Sequence, residues 1–323
     1  MIRTVMRVDV SDVAPPGCRT LAMEVVAPAP AAAASPVVLF CFPGGGMSRR
    51  YFDLTAVGYS FAEYASQRGF VMVLADHPCV GDSDAPDDGW ALTPETVGRV
   101  NAAAVGRMLA ALEAGGVAGL PPLRPAAVVG VAHSAGAHVL IHHQAHHPQF
   151  DGIILLGWCG RGLPEYLDDD ERVLSSAPGD LAARLVAGAK RRHAEPLGVL
   201  PRGSSRLLVA SSMPADVHQA LVDARSRLLA VVGYASMVPG SAGQASARID
   251  VPVFVGVGEH DIAVDHQAIP AEFPASRDVT LFVLQGAGHN QNVEAGREQL
   301  WARMTYWAGD LARQRAVQGA VRG

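Results

Sequence analysis

The sequence predicts an α/β protein built on a mainly parallel, doubly wound sheet of about eight strands. Three observations carry that expectation. Runs such as Val37–Phe42, Phe70–Ala75, Ala126–Val131 and Gly152–Trp158 are apolar without polar alternation, as strands covered on both faces are. Segments with apolar residues at helical spacing separate them. The residues able to carry chemistry fall just after those strands, along the edge where right-handed crossovers collect the strand C-termini.

Taken in order, Met1–Val10 and Thr20–Val26 read as two strands of an initial hairpin. The Ala- and Pro-rich stretch Ala27–Pro36 runs straight into a strong strand and therefore reads as a surface loop within the domain. Tyr51–Arg68 reads as a helix with Phe61 and Tyr64 on one face, and Phe70–Ala75 as a strand ending at Asp76. Pro94–Gly115 has Val97, Ala104, Met108 and Leu112 at helical spacing. Ala126–Val131 and Gly152–Trp158 are the next strands, Val251–Val257 and Val279–Leu284 the last two. Leu300, Met304, Trp307 and Leu311 line a closing helix.

Between Trp158 and Val251 the alternation lapses. Residues 160–245 contain the helix-like stretches Gly179–Arg192 and Ala215–Val232. Following the sixth large strand, such a segment is expected to hang over the chemical edge as a helical cap. The core would then comprise residues 1–159 and 246–323.

Composition bounds the function. At 323 residues, 49% of them hydrophobic and 18% charged, the chain has room for one large core with an insertion. A net charge of −5 supplies no broad basic face, which argues against nucleic acid as a partner. Cys18, Cys41, Cys79 and Cys159 are widely spaced and form no C-x-x-C pair, so neither a disulfide framework nor a cysteine metal site is expected. The first residues lack a basic region followed by an apolar stretch, and no apolar run is long enough to span a membrane. A cytoplasmic protein is expected.

The most informative segment is Val131-Ala132-His133-Ser134-Ala135-Gly136. A serine with small residues two positions away on each side, between a strand and a helix, fits the sharp turn called the nucleophile elbow. A serine hydroxyl is a poor nucleophile at neutral pH and needs an adjacent base. Three further features stand in order around it. Phe42-Pro43-Gly44-Gly45-Gly46-Met47 follows the third strand, with glycines where a backbone must approach a ligand oxygen without a side chain between. Asp76-His77-Pro78-Cys79-Val80-Gly81-Asp82-Ser83-Asp84 follows the fourth and reads as a structural turn. Glu259-His260-Asp261 and Gly286-Ala287-Gly288-His289 follow the seventh and eighth strands, offering an acid and a base.

Together these features resemble the α/β-hydrolase superfamily, specifically a serine hydrolase with a helical lid, over nearly the whole chain outside the cap. The resemblance implies a catalytic triad of Ser134, His289 and Asp261, in the chain order Ser, Asp, His expected on that fold. It places an oxyanion hole at the N–H groups of Ala135 and of Gly45 or Gly46. Family members usually carry His-Gly-x where this chain has Pro43-Gly44-Gly45, so a residue that commonly anchors the loop is missing. Asp265 and Glu259 lie off the motif position, and the end of the sixth strand, Trp158-Cys159-Gly160, has no carboxylate. Asp261 is therefore the favoured acid.

The resemblance further implies a small-molecule substrate with an ester, lactone or thioester bond, cleaved through an acyl-enzyme without a cofactor. The same triad also serves C–C bond or amide hydrolysis, acyl transfer and perhydrolysis. A non-catalytic binding protein on this fold usually lacks a triad member, whereas this chain keeps all three. The cap and the last strand's edge are surfaces through which a homodimer would form. His138, His142, His143, His146 and His147 crowd one helix and read as surface histidines, with no accompanying carboxylate pattern for a metal. Asp168–Glu171 reads as a solvated acidic face, Arg49-Arg50 as loop-capping or solvated charges, and His133 as a packing neighbour of the elbow.

Overall fold

The computed structural model describes residues 1–29, 35–199, 209, 213–263 and 265–322. Part of the Ala- and Pro-rich loop (30–34) and part of the expected cap (200–208 and 210–212) lie outside the described residues.

Eight strands form one sheet: β1 (Ile2–Asp9), β2 (Thr20–Ala27), β3 (Val37–Phe42), β4 (Val71–Ala75), β5 (Ala127–His133), β6 (Gly152–Leu156), β7 (Val253–Gly258) and β8 (Val279–Leu284). Their spatial order is β1-β2-β4-β3-β5-β6-β7-β8. The expected hairpin pairs β1 with β2 in a register running from Ile2↔Ala27 to Asp9↔Thr20. β2 is also antiparallel to β4, and every pairing from β4 to β8 is parallel. The crossovers of that parallel part bring the C-terminal ends of β3, β5, β6, β7 and β8 to one edge.

Helices cover both faces, as the doubly apolar strands require. On one side lie α2 (Pro94–Glu113) and α3 (Ala135–His146), which place Val100, Ala104, Met108, Leu140 and Ile141 against the sheet. On the other lie α1 (Phe61–Ser66) and α9 (Arg297–Arg322), with Phe61, Leu300, Trp301, Met304 and Leu311 in the second core. Thr93 caps α2, its hydroxyl accepting from the Thr96 amide at 3.2 Å, with Pro94 at the first helical position.

Two expected helices are interrupted. Tyr51–Arg68 is not continuous: a short 3₁₀ turn at Arg49–Phe52 is followed by a loop through Gly58, whose φ is +77°. The α-helix starts only after Ser60, whose hydroxyl accepts from Glu63 N. Ala215–Val232 likewise splits into α6 (Ala215–Asp223) and α7 (Ala230–Met237). Between them the chain descends onto the glycine loop, where Ser48 N donates to Ala224 O and Ser226 N donates to Gly46 O, both at 2.8 Å. Tertiary hydrogen bonds override helical periodicity there. The segment also contains α4 (Asp169–Arg172), α5 (Leu181–Arg192), α8 (Gly243–Ser246) and a two-residue ladder joining Leu197–Gly198 to Leu228–Leu229.

Trp301 ties the second core together. It is 1% exposed, packs on Phe61 and Tyr64, and its indole N–H donates to Asn292 Oδ1 at 2.8 Å. Trp301→Ala is expected to cost ~3–5 kcal/mol in urea denaturation, the range for a large buried aromatic. Val57→Ala, at a position 95% exposed, should change stability by less than ~0.5 kcal/mol.

Candidate active site

Ser134 stands between β5 and α3 with φ 52° and ψ −123°. A non-glycine residue holds such a backbone only where its surroundings over-determine it, at a cost of ~1–3 kcal/mol. Those surroundings are explicit. The Ser134 amide donates to Leu156 O on β6 at 2.7 Å, and its carbonyl accepts from Ala137 N at 2.9 Å. A Cβ added to Gly136 would lie 2.1 Å from Pro43 O, and one on Gly44 would lie 2.6 Å from His133 Nδ1. Only glycine lets the loop after β3 and the start of α3 approach this closely.

The three residues singled out as nucleophile, base and acid meet at this edge. The Ser134 hydroxyl lies 2.8 Å from His289 Nε2, and His289 Nδ1 lies 2.7 Å from Asp261 Oδ1. A carboxylate only accepts, so Nδ1 carries the proton and Nε2 faces the serine hydroxyl as an acceptor. Asp261 is buried, which alone would raise its carboxyl above the ordinary range. The neighbouring His289 and the amides of Ala263 and Gly258 reverse that and hold it below. The amide donors lie at 3.0 Å and 3.2 Å, and the Gln291 side chain adds a fourth bond at 2.7 Å.

His289 is positioned from below. His133 Nε2 lies 2.9 Å from the His289 carbonyl, an acceptor, so His133 donates there. The two rings stand 4.7 Å apart, and Tyr51 stacks on the far side of His133 at 4.6 Å. Burial, with His289 beside it, lowers His133 to about 3, so it stays neutral under its neighbour. His133 thus packs beside the elbow, as the sequence indicated.

Gly45 faces α3 across the loop, and Gly46 lines the same cleft as Gly45. An added Cβ on Gly45 would lie 3.5 Å from that of Ala135 and 2.8 Å from Leu228. The loop that lacks the usual histidine is anchored from elsewhere. His77 is buried and stacked on Phe42, and its Nε2 donates to Pro43 O at 3.2 Å while Nδ1 accepts from Asn101 at 2.9 Å. Burial lowers His77 to about 4. Sequence reading missed this pair. The available signal was Asn101 itself, a polar residue at a buried position of α2. Gln291 was also missed; it lies in the buried polar run Asn290-Gln291-Asn292 just after His289.

Asp76 has the structural place assigned to its turn. Its carboxylate accepts from the Arg49 amide at 2.7 Å, pairs with the Arg49 guanidinium, and accepts from Asp82 N at 3.1 Å. Arg49 is 5% exposed and also pairs with Asp82, so it is neither solvated nor turned toward a ligand. Two other expectations are corrected. His138, His142 and His143, all on α3, are buried instead of lying at the surface. Among the described residues no cluster could hold a metal. The acidic run is only partly solvated, because Asp168 caps α4 and buried Glu171 pairs with Arg192, which lowers its carboxyl to about 2.

Among the described residues two clefts flank the serine. One is lined by Ser134, His289, Trp158, Leu163, Ser236 and Ile262. The other borders the glycine loop and Ala135, with Val80, Leu229, Val232 and Arg227 in its wall.

The Alpha/beta hydrolase family model matches residues 38–302, and the chain belongs to that family. Solved structures agree on the fold. An esterase from Exiguobacterium antarcticum is 15% identical, with 91% of this chain and 99% of that one covered at a TM-score of 0.61. A monoacylglycerol lipase from Paleococcus ferrophilus is 19% identical, with 90% and 99% covered and a TM-score of 0.60. A haloalkane dehalogenase variant from Bradyrhizobium elkanii is 15% identical, with 98% and 100% covered and a TM-score of 0.60. No curated protein matches the chain. No helix of the described residues is long and apolar enough to cross a membrane.

The buried imidazoles make stability pH-dependent. His77 and His143 are lowered to about 4 and His133 to about 3, from an ordinary 6.5, burial being the leading cause in each. The unfolded chain therefore binds protons at these sites before the folded one does. Their contribution is complete above pH ~6.5 and declines as the pH falls toward ~3–4. Calorimetry should show the melting temperature dropping progressively below pH ~6.5. A melting temperature unchanged down to pH ~4 would contradict these burial assignments.

Proposed function

We propose that the protein is a serine hydrolase that cleaves a carboxylic ester-type bond through an acyl-enzyme on Ser134. One observation carries this reading: a strained serine whose hydroxyl lies 2.8 Å from an imidazole that a buried carboxylate orients at 2.7 Å. In the reaction, His289 Nε2 removes the proton as Ser134 Oγ attacks the substrate carbonyl. Asp261 keeps Nδ1 protonated and stabilises the imidazolium that forms. The tetrahedral oxyanion is received by the N–H of Ala135, at the positive end of α3, and by that of Gly45. Gly45 is preferred to Gly46 because it abuts Ala135, whereas the Gly46 carbonyl is turned to Ser226.

Collapse of the intermediate breaks the bond to the leaving oxygen, which takes the proton from His289. Water then enters, loses a proton to the same nitrogen and releases the acid, restoring Ser134. A hydroxyl nucleophile supports ester chemistry over the carboxylate-based displacement of halides. Esterases and a lipase among the structural neighbours accord with this choice.

We also assign residues 160–245 the role of a cap over the site. Leu163 and Ser236 reach the cleft beside Ser134, and Leu228 lies over Gly45. Exchange of this segment should alter substrate preference.

A fluorophosphonate reagent should modify Ser134, and Ser134→Ala should abolish labelling while leaving the melting temperature intact. Asp261→Asn should lower turnover of short esters by ~10⁴, because the histidine tautomer is no longer enforced. Intact protein that resists labelling would overturn the reading, and near-normal turnover in Asp261→Asn would move the acid's role elsewhere.

A further inference from the structure

We propose that the cleft beside the glycine loop receives the acyl part of the substrate, and that this acyl part ends in a carboxylate bound by Arg227. The inference rests on the reading of Ser134 as nucleophile and names the substrate class for that same site.

The assignment of the two clefts follows from proton transfer. A leaving oxygen must lie beside His289 Nε2 to be protonated, so the leaving alcohol occupies the cleft that His289 lines. The acyl chain, on the other side of the carbonyl carbon, is directed toward the cleft bordered by Gly45, Ala135 and Gly136. Val80, Leu229 and Val232 give that cleft apolar walls. His77 also lines it, yet both its ring nitrogens are committed to Pro43 and Asn101.

Among the described residues Arg227 is the one cation in that wall. Its backbone is fixed at the rim because the preceding Ser226 donates from its amide to Gly46 O and accepts from Gly81 N at its hydroxyl, 2.8 Å and 2.7 Å away. Its exposed side chain lies beside the Cys79 thiol in the turn after β4. A guanidinium has five N–H donors and a thiol is a weak acceptor, so most of its capacity is open. Among the described residues no carboxylate pairs with Arg227. Arg49, which follows the glycine loop in the chain, is buried and paired with Asp76 and Asp82. An apolar slot with a planar cation in its wall that no carboxylate among the described residues compensates fits an acyl chain terminating in a carboxylate, which a guanidinium binds by paired hydrogen bonds.

Two p-nitrophenyl phosphonates of equal length test this: one carries a 4-carboxybutyl group and the other a pentyl group. The readout is the rate of Ser134 modification by each. The carboxylate-tailed reagent should react ~10-fold faster, as expected for a hydrogen bond between charged groups. Arg227→Gln should bring the ratio near one, and Arg227→Lys should retain part of it. Equal rates in the unaltered protein, or a ratio that survives Arg227→Gln, would overturn the proposal while leaving Ser134 as nucleophile. Failure of both reagents on folded protein would overturn the nucleophile reading, and the acyl assignment with it.

Discussion

The site depends on one constraint, the left-handed backbone of Ser134 between β5 and α3. That conformation is unfavourable for a residue with a Cβ, and it persists because packing leaves no alternative. The Ser134 amide is committed to β6, and α3 begins at once behind it. The Pro43 carbonyl fills the space where a side chain on Gly136 would stand. A relaxed turn would lower the hydroxyl into the sheet and away from His289. Strain in the turn is thus what presents the oxygen to His289, and the parallel sheet supplies the rigidity that maintains it.

Electrostatics divide the neighbouring groups into fixed and reactive ones. His77 and His133 are neutral because burial removes the hydration an imidazolium would need. Each uses its Nε2–H to hold a backbone carbonyl, Pro43 under the glycine loop and His289 under the base. Asp261 is the opposite case, a buried charge sustained by four hydrogen bonds. His289 lies between them, oriented by the charge on one side and packed against a neutral ring on the other. A cationic His133 would oppose formation of an imidazolium on His289, so its suppressed protonation suits the relay proposed for His289.

Much of this was legible in the sequence. Ala127–His133 and the residues after it announce strand, elbow and helix through small residues at fixed offsets, and Asp261 and His289 follow apolar strands on the same edge. The doubly covered sheet followed from the absence of polar alternation. What was illegible depends on partners distant in the chain. Nothing local distinguishes His77 from a solvated turn residue until α2 brings Asn101 against it. The buried rings of His138 and His143 looked like a surface cluster because histidine has no fixed preference for inside or outside. The break after Asp223 reflects hydrogen bonds to a loop almost 180 positions earlier, |i−j| 176 for Ser48 and Ala224, which no helical periodicity encodes.

The most direct test is a crystal structure of the protein after reaction with diethyl p-nitrophenyl phosphate. A covalent phosphorus–oxygen bond should join the reagent to the side chain of Ser134. The phosphoryl oxygen should lie ~2.7–3.1 Å from the amides of Ala135 and Gly45, where a tetrahedral oxyanion would be held. Phosphorylation of another residue in the inactivated protein, or a phosphoryl oxygen turned away from both amides, would contradict the account.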